Sequence, residues 1–253
     1  MEVTFLGTGT SQGIPIIGSN HPVCLSENRK DKRLRVSVLV EWEGYNFLID
    51  CGPDFRTQML SNNVQRLDAI LYTHEHNDHT AGLDDIRPFF FRQGDIPVFA
   101  HKRVLKSMRK RFDYIFETEN KYPGAPGVIQ NEIENKPFHF EELEIIPVSF
   151  DHNRLQVFGY RMKDFAYLTD LKSIEEEEID KLRDLKVLVV NALRIEPHHS
   201  HLNLKEALEF IDKLKPERAY LTHISHLLGF HDEVQEQLPE NVFLAYDNLK
   251  ITI

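Results

Sequence analysis

The sequence predicts an α/β fold of the α+β kind, two β-sheets held between outer helices in one domain spanning 1–253. Three observations carry this expectation. Strand-like and helix-like segments alternate in both halves of the chain, and no low-complexity linker divides them. Hydrophobic residues make up 41% of the 253 residues, enough for a substantial core without a covalent staple. Histidine and aspartate recur at the ends of strand-like segments far apart in the chain, which places those ends at one edge.

In order, Val3–Leu6 reads as a strand that runs into Gly7-Thr8-Gly9-Thr10-Ser11-Gln12-Gly13. That turn is not a phosphate loop, because Ile14-Pro15-Ile16-Ile17-Gly18 cannot open the helix such a loop needs. Arg35–Glu41 and Tyr45–Asp50 form a hairpin about Glu43-Gly44, with Val36, Val38 and Val40 on one face. Phe55–Leu60 is a short helix and Ala69–Tyr72 the next strand. Val98–Ala100 is a strand, and His101–Phe116 a basic helix whose Lys and Arg face reads as solvated. Lys121–Gly127 is a loop and candidate lid. Phe138–Phe140, Leu143–Val148, Val157–Met162 and Phe165–Leu168 are strands, and Glu175–Leu185 is a charged helix. Val187–Val190 is a buried strand, and Leu204–Leu214 an amphipathic helix with Leu204, Leu208 and Ile211 facing inward. Ala219–Leu221, the short helix Glu233–Leu238, and the strands Val242–Ala245 and Lys250–Ile253 complete the chain.

The densest chemistry lies in Tyr72-Thr73-His74-Glu75-His76-Asn77-Asp78-His79, at the end of a buried strand. His74 and His76 stand two apart, so an extended backbone points both to one side. Asp78 and His79 then turn toward a second ion. Imidazole with carboxylate suits zinc, manganese or iron better than calcium or magnesium. A binuclear site needs more donors than one loop supplies, and other strand ends provide them: His152 after Leu143–Val148, Asp170 after Phe165–Leu168, and His223 after Ala219–Leu221.

Composition narrows the partners. Thirty Lys and Arg against forty Asp and Glu give a formal charge of −10, which argues against a nucleic-acid partner. Cys24 and Cys51 make neither a Cys-x-x-Cys pair nor a disulfide framework, so a cytoplasmic protein is expected. The N-terminus lacks the pattern of a signal peptide. No stretch approaches about 18 uninterrupted apolar residues, so no membrane span is expected. Phe89–Phe91 is a candidate contact for a homodimer.

The pattern His-x-His-x-Asp-His, followed by His152, Asp170 and His223, resembles the metallo-β-lactamase fold superfamily. The resemblance spans essentially the whole chain, including Gly7-Thr8-Gly9-Thr10-Ser11 and Asp50-Cys51-Gly52. It implies a four-layer αββα sandwich. It implies that His74, His76 and His152 hold one divalent ion, that Asp78, His79 and His223 hold another, and that Asp170 bridges them. Asp50 would steady a ligand histidine by its free N–H. His76 and His79 fit hydrolysis rather than di-iron oxygen chemistry, and Asp170 stands where true lactamases usually carry Cys.

Within the superfamily the chain looks most similar to the cyclic-phosphodiesterase subfamily of the phosphonate (carbon–phosphorus lyase) pathway. The likeness lies in residues 7–15 and in Thr222-His223-Ile224-Ser225-His226. It implies a small-molecule phosphodiester substrate, two active-site ions (zinc or manganese), and His201 as the acid that protonates the leaving oxygen. Asp78 would hold the attacking water as well as metal. It also implies a structural zinc, for which the matching positions are Ser19, His21, Cys24 and His226. A serine hydroxyl does not compete with thiolate for zinc, which leaves His21, Cys24 and His226 with water, a recruited His231, or no metal. Rival readings are a tRNA 3′-processing endonuclease, a thioester or lactone hydrolase, and a non-catalytic small-molecule binder.

Overall fold

The computed structural model describes residues 1–119 and 121–253. The first sheet contains β1 (Glu2–Gly7), β2 (Ser37–Trp42), β3 (Tyr45–Ile49), β4 (Ala69–Leu71), β5 (Ile96–His101) and β6 (Val128–Ile133). The second contains β7 (Phe138–Phe140), β8 (Leu143–His152), β9 (Leu155–Met162), β10 (Phe165–Leu168), β11 (Val187–Asn191), β12 (Arg218–Thr222) and β13 (Val242–Leu244). The last strand, β14 (Lys250–Thr252), returns to the first sheet beside β1. The orders are β14-β1-β2-β3-β4-β5-β6 and β13-β12-β11-β10-β9-β8-β7.

Period-two alternation divides each strand between two cores. Val3, Phe5, Val38 and Val40 join Phe165, Tyr167, Val187 and Val189 in the core between the sheets. Leu6, Leu39, Leu48 and Ile70 face outward instead, against the helical residues Phe55, Val104, Leu105 and Met108. On the other side Ala166, Leu168, Leu188 and Val190 pack on Ala207 and Ile211 of the helix Leu204–Leu214. Three cores between four layers make the αββα sandwich that the resemblance implied. The helix Leu204–Leu214 opens on a reciprocal capping box, in which Asn203 accepts from Glu206 N–H while the Glu206 carboxylate accepts from Asn203 N–H, 2.9 Å each way.

Four elements differ from expectation. Strand β6 was not anticipated, since Gln130, Asn131 and Glu132 interrupt its apolar pattern; it forms at the sheet edge, where one side faces solvent. The phenylalanine run lies in a helix, Arg87–Gln93, with Phe89 buried and Phe91 exposed. The basic segment is a strand through His101, a helix Lys102–Arg111, a break at Phe112 and a turn of helix Asp113–Phe116. The His101 imidazole accepts from Arg103 N–H and so caps the helix it was expected to lie within. The charged segment is helical only over Glu176–Ile179, then 3₁₀ over Asp180–Leu182.

The candidate lid at 121–127 is fastened at several points: Arg87 donates to Gly124 O and the Tyr122 hydroxyl, and Lys121 donates to Ile115 O. Among the described residues no helix is long and apolar enough to cross a membrane.

Candidate metal centre

Register delivers the site. Strands β3, β4 and β5 are parallel, as are β10, β11 and β12, so within each group the C-terminal ends share one edge. Ile49 pairs with Leu71, so Asp50 emerges beside Tyr72-Thr73-His74, and Asp50 N–H donates to Leu71 O at 2.9 Å. His152 is the last residue of β8, Asp170 follows β10 by two residues, and His223 follows β12 directly. Asp50, Asp170 and His223 have φ of 64°, 63° and 54°. A left-handed backbone costs a non-glycine residue about 1–3 kcal/mol. It recurs here where the chain leaves a strand for the site.

The side chains converge from five separate segments. His79 Nε2 lies 3.4 Å from Asp78 Oδ2 and 3.3 Å from Asp170 Oδ2. His223 Nε2 lies 3.3 Å from Asp170 Oδ1 and 3.8 Å from Asp78 Oδ2. His152 Nε2 lies 3.9 Å from Asp170 Oδ1. His74 Nε2 is 2.9 Å from His76 Nδ1, and the His76 and His152 rings stand 5.4 Å apart. Asp170 thus touches the groups of both expected ion sites. Across it stands His201, with Nε2 2.9 Å from Asp170 Oδ1 and its ring 4.8 Å from that of His223.

These residues fit divalent cations. Nε2 of His79 and both ring nitrogens of His223 are buried without a hydrogen-bond partner. Buried polar atoms are normally paired, and here the orphaned Nε2 atoms of His79 and His223 face the Asp78 and Asp170 carboxylates, the surroundings of a shared cation. The carboxylates draw positive charge to this pocket, which a proton on His79 supplies and a cation would replace. Burial opposes charge on His79, yet Asp78, Asp50 and Asp170 hold its imidazole well above the ordinary histidine range. Burial likewise pushes Asp170 up, but His223 and His79 outweigh it and hold the carboxyl well below the usual range. Burial, reinforced by His79, keeps His74 low and neutral, the form that coordinates. Three groups of donors close on one another within 4.8 Å: His74 with His79 and Asp170; Asp78 with His79 and His223; His152 with Asp170 and His201.

Supporting residues set the ring orientations. Asp50 Oδ2 accepts from His79 Nδ1 at 2.6 Å, and Asp50 also accepts from Thr73 N–H and Thr73 Oγ1. Thr73 Oγ1 also lies 3.0 Å from His74 Nδ1, and Ser200 O accepts from His152 Nδ1 at 2.7 Å. Asp50 was legible from its place before the cluster; Thr73 and Ser200 carried no signal, because their roles depend on neighbours distant in sequence.

The second metal site expected from the sequence is only partly assembled. His21 and His226 stack edge to face at 4.7 Å, and His226 Nδ1 is buried without a partner. Cys24 is buried nearby as a free thiol, but its sulfur does not join the two imidazoles in any three-donor group among the described residues. Ser19 Oγ instead accepts from His21 N–H, and His231 lies against Arg33.

A family model described as "Beta-lactamase superfamily domain" matches residues 45–224. A solved diphosphatase of the PhnP family is 38% identical, with a TM-score of 0.93, covering 100% of this chain and 97% of that one. An octanoyltransferase of Porphyromonas gingivalis is 40% identical over 256 residues, which is 100% of this chain and 52% of that protein. A ribonuclease Z of Bacillus cereus is 28% identical over 209 residues, 74% of this chain and 62% of the relative. The chain therefore spans about half the length of the octanoyltransferase and under two thirds of the ribonuclease Z.

Proposed function

The chain belongs to the beta-lactamase superfamily and, within it, to the PhnP family, and from that premise we propose that it is a phosphodiesterase-type hydrolase of a small or cyclic phosphodiester. It is a metal-dependent hydrolase. The observation that carries the finer reading is the opposition of His201 to the histidine–carboxylate cluster across Asp170, with Nε2 at 2.9 Å. An imidazole outside the seven expected donors and aimed at the cluster is suited to proton transfer.

His74, His76 and His152 would hold one divalent ion, zinc or manganese; Asp78, His79 and His223 would hold the other, with Asp170 between them. When bound, such ions acidify water and neutralise charge developing on a phosphoryl oxygen. The protein's own residues do the rest. Asp78, only partly buried, faces the cavity of about 430 Å³ lined by Ser11, Gln12, Ile16 and Arg35. From there its carboxylate can orient the attacking water. His201 faces the site from the other side and, as the doubly protonated ring, can hand the Nε2 proton to the departing oxygen and remain a neutral imidazole with its hydrogen on Nδ1. Asp50 and Thr73 keep His79 and His74 from rotating, so the donors need no rearrangement during turnover.

The 38% identical diphosphatase supports a second phosphorus substrate, a diphosphate bond, which offers the same non-bridging oxygens and a better leaving group. The purified protein loaded with zinc or manganese should hydrolyse bis-p-nitrophenyl phosphate, with cyclic nucleotides, a dinucleoside diphosphate, a thioester and a tRNA precursor as parallel arms. His201→Ala should retain its metal and lose about 10²-fold in kcat on substrates with poor leaving groups. Turnover of the thioester alone would overturn the phosphodiesterase reading. Full activity of His201→Ala would remove that residue from the chemistry.

A further inference from the structure

We propose that Ser200 is the positioning residue for proton delivery, fixing the His201 ring through its hydroxyl while its backbone carbonyl fixes His152. The inference rests on the hydrolase reading above and deepens it.

The argument starts from which nitrogen of His201 bears hydrogen. Nε2 faces the Asp170 carboxylate at 2.9 Å, and two acceptors at that distance would repel, so Nε2 carries the hydrogen and donates it. That is also the nitrogen facing the cluster. In the neutral ring Nδ1 is then an acceptor and needs a donor. Two groups are in reach: Ser200 Oγ at 3.0 Å and His198 Nδ1 at 3.1 Å. The second is already engaged as an acceptor, because Ser200 N–H donates to His198 Nδ1 at 3.3 Å. The hydroxyl of Ser200 is the remaining donor.

The same oxygen lies 3.2 Å from His198 Nδ1, so the hydroxyl sits between the two imidazoles. Ser200 and His201 are 6% and 8% exposed, so water does not readily substitute for the hydroxyl.

The same residue reaches the other wall of the site through its main chain. Ser200 O accepts from His152 Nδ1–H at 2.7 Å, which leaves His152 Nε2 free to face Asp170. The His152 and His201 rings stand 4.5 Å apart, edge to face. One residue therefore sets the distance between a candidate ligand and the candidate acid. Side-chain substitution separates the two contacts, because Ser200→Ala deletes the hydroxyl and keeps the carbonyl.

The test uses the metal-loaded full chain and a series of aryl methyl phosphodiesters whose phenols grow steadily worse as leaving groups. General-acid help matters little for p-nitrophenol and much for phenol. Ser200→Ala keeps the carbonyl that holds His152, so it should keep its metal, and its loss of turnover should be smallest on the p-nitrophenyl ester. On the phenyl ester it should lose roughly 10-fold or more, a typical effect of removing a group that orients a catalytic side chain. Its dependence on leaving-group pKa should therefore steepen toward that of His201→Ala. Ser200→Thr, which restores a hydroxyl, should return to the wild-type slope. A slope unchanged in Ser200→Ala, or equally steep in Ser200→Thr, overturns the proposal. So does a steepened slope in His198→Ala with none in Ser200→Ala. If wild type hydrolyses no member of the series, the phosphodiesterase reading itself has failed. An active wild type with an unaltered Ser200→Ala slope leaves that reading intact and refutes the role of Ser200.

Discussion

Asp50 Oδ2 lies 2.6 Å from His79 Nδ1, and neither side chain is exposed to solvent. Asp50 also accepts two hydrogen bonds from Thr73, so one carboxylate satisfies three donors. It holds the imidazole whose other nitrogen faces Asp78 and Asp170.

Asp50→Asn should therefore weaken metal binding. The amide keeps the shape but offers one acceptor oxygen where the carboxylate has two, and its NH₂ must face a donor. Loss of a partner to a ligand histidine typically costs about 10–100-fold in metal affinity or activity. A competition titration with a chromophoric chelator measures it. Unchanged affinity would show that His79 needs no such anchor.

How far the site could be read from sequence depended on whether a residue's role was local. His74, His76, Asp78 and His79 announce themselves because one short loop carries them. His152, Asp170 and His223 were found because strand ends are legible as the point where an apolar run stops. Ser200 was not, since its work is to meet His152 from 48 positions away. The same logic governs the fold. Period-two alternation exposed the inner strands, whereas edge strand β6 carries polar residues at half-exposed positions and hides its own pattern. The break at Phe112 and the short helix after Glu175 are set by tertiary packing, to which helix periodicity is blind. At the second metal site, sequence spacing brought His21 and His226 together but does not report whether the Cys24 sulfur converges with them.

Added zinc or manganese should stabilise the fold, independently of any substrate. Orphaned nitrogens on His79 and His223 gain partners only when a cation binds. At a free ion concentration about a hundred times Kd, linkage gives about 2.7 kcal/mol, which for a domain of this size is roughly 5–10 °C in Tm. Thermal melts with and without chelator check it. His223→Ala should shrink the difference, and equal melting temperatures in both conditions would count against the metal centre.

His231 gives a pH dependence of defined sign. Burial, aided by the Arg33 guanidinium 3.1 Å away, lowers its imidazole to about 4. The unfolded chain titrates this group near 6.5. The folded state thus prefers the neutral ring. Stability from that preference is complete above 6.5 and is lost as pH falls toward the folded value. Relative to wild type, His231→Gln should melt progressively less unfavourably as pH drops from 6.5 to about 4. Parallel melting curves across that range would show that the ring is protonated in the fold as readily as outside it.

Gly52 is where the backbone, rather than a side chain, controls the site. A Cβ there would lie 2.1 Å from Asp78 O, closer than real Cβ atoms come. The contact is held in place from both sides: Cys51 N–H donates to His79 O at 2.8 Å, and Gly82 N–H donates to Cys51 O at 2.9 Å. Gly52→Ala must push the Asp78 carbonyl away by roughly 1 Å, a displacement that costs on the order of 10²-fold in a positioned site. Asp78 and His79 would move together, so metal affinity and turnover should fall in parallel while most of the fold, built on the core between the sheets, survives. Circular dichroism, metal content and turnover of the variant test this jointly. Wild-type metal content in a folded Gly52→Ala protein would mean that the loop bearing Asp78 yields without disturbing its donors, and that the close approach of the two segments is packing alone.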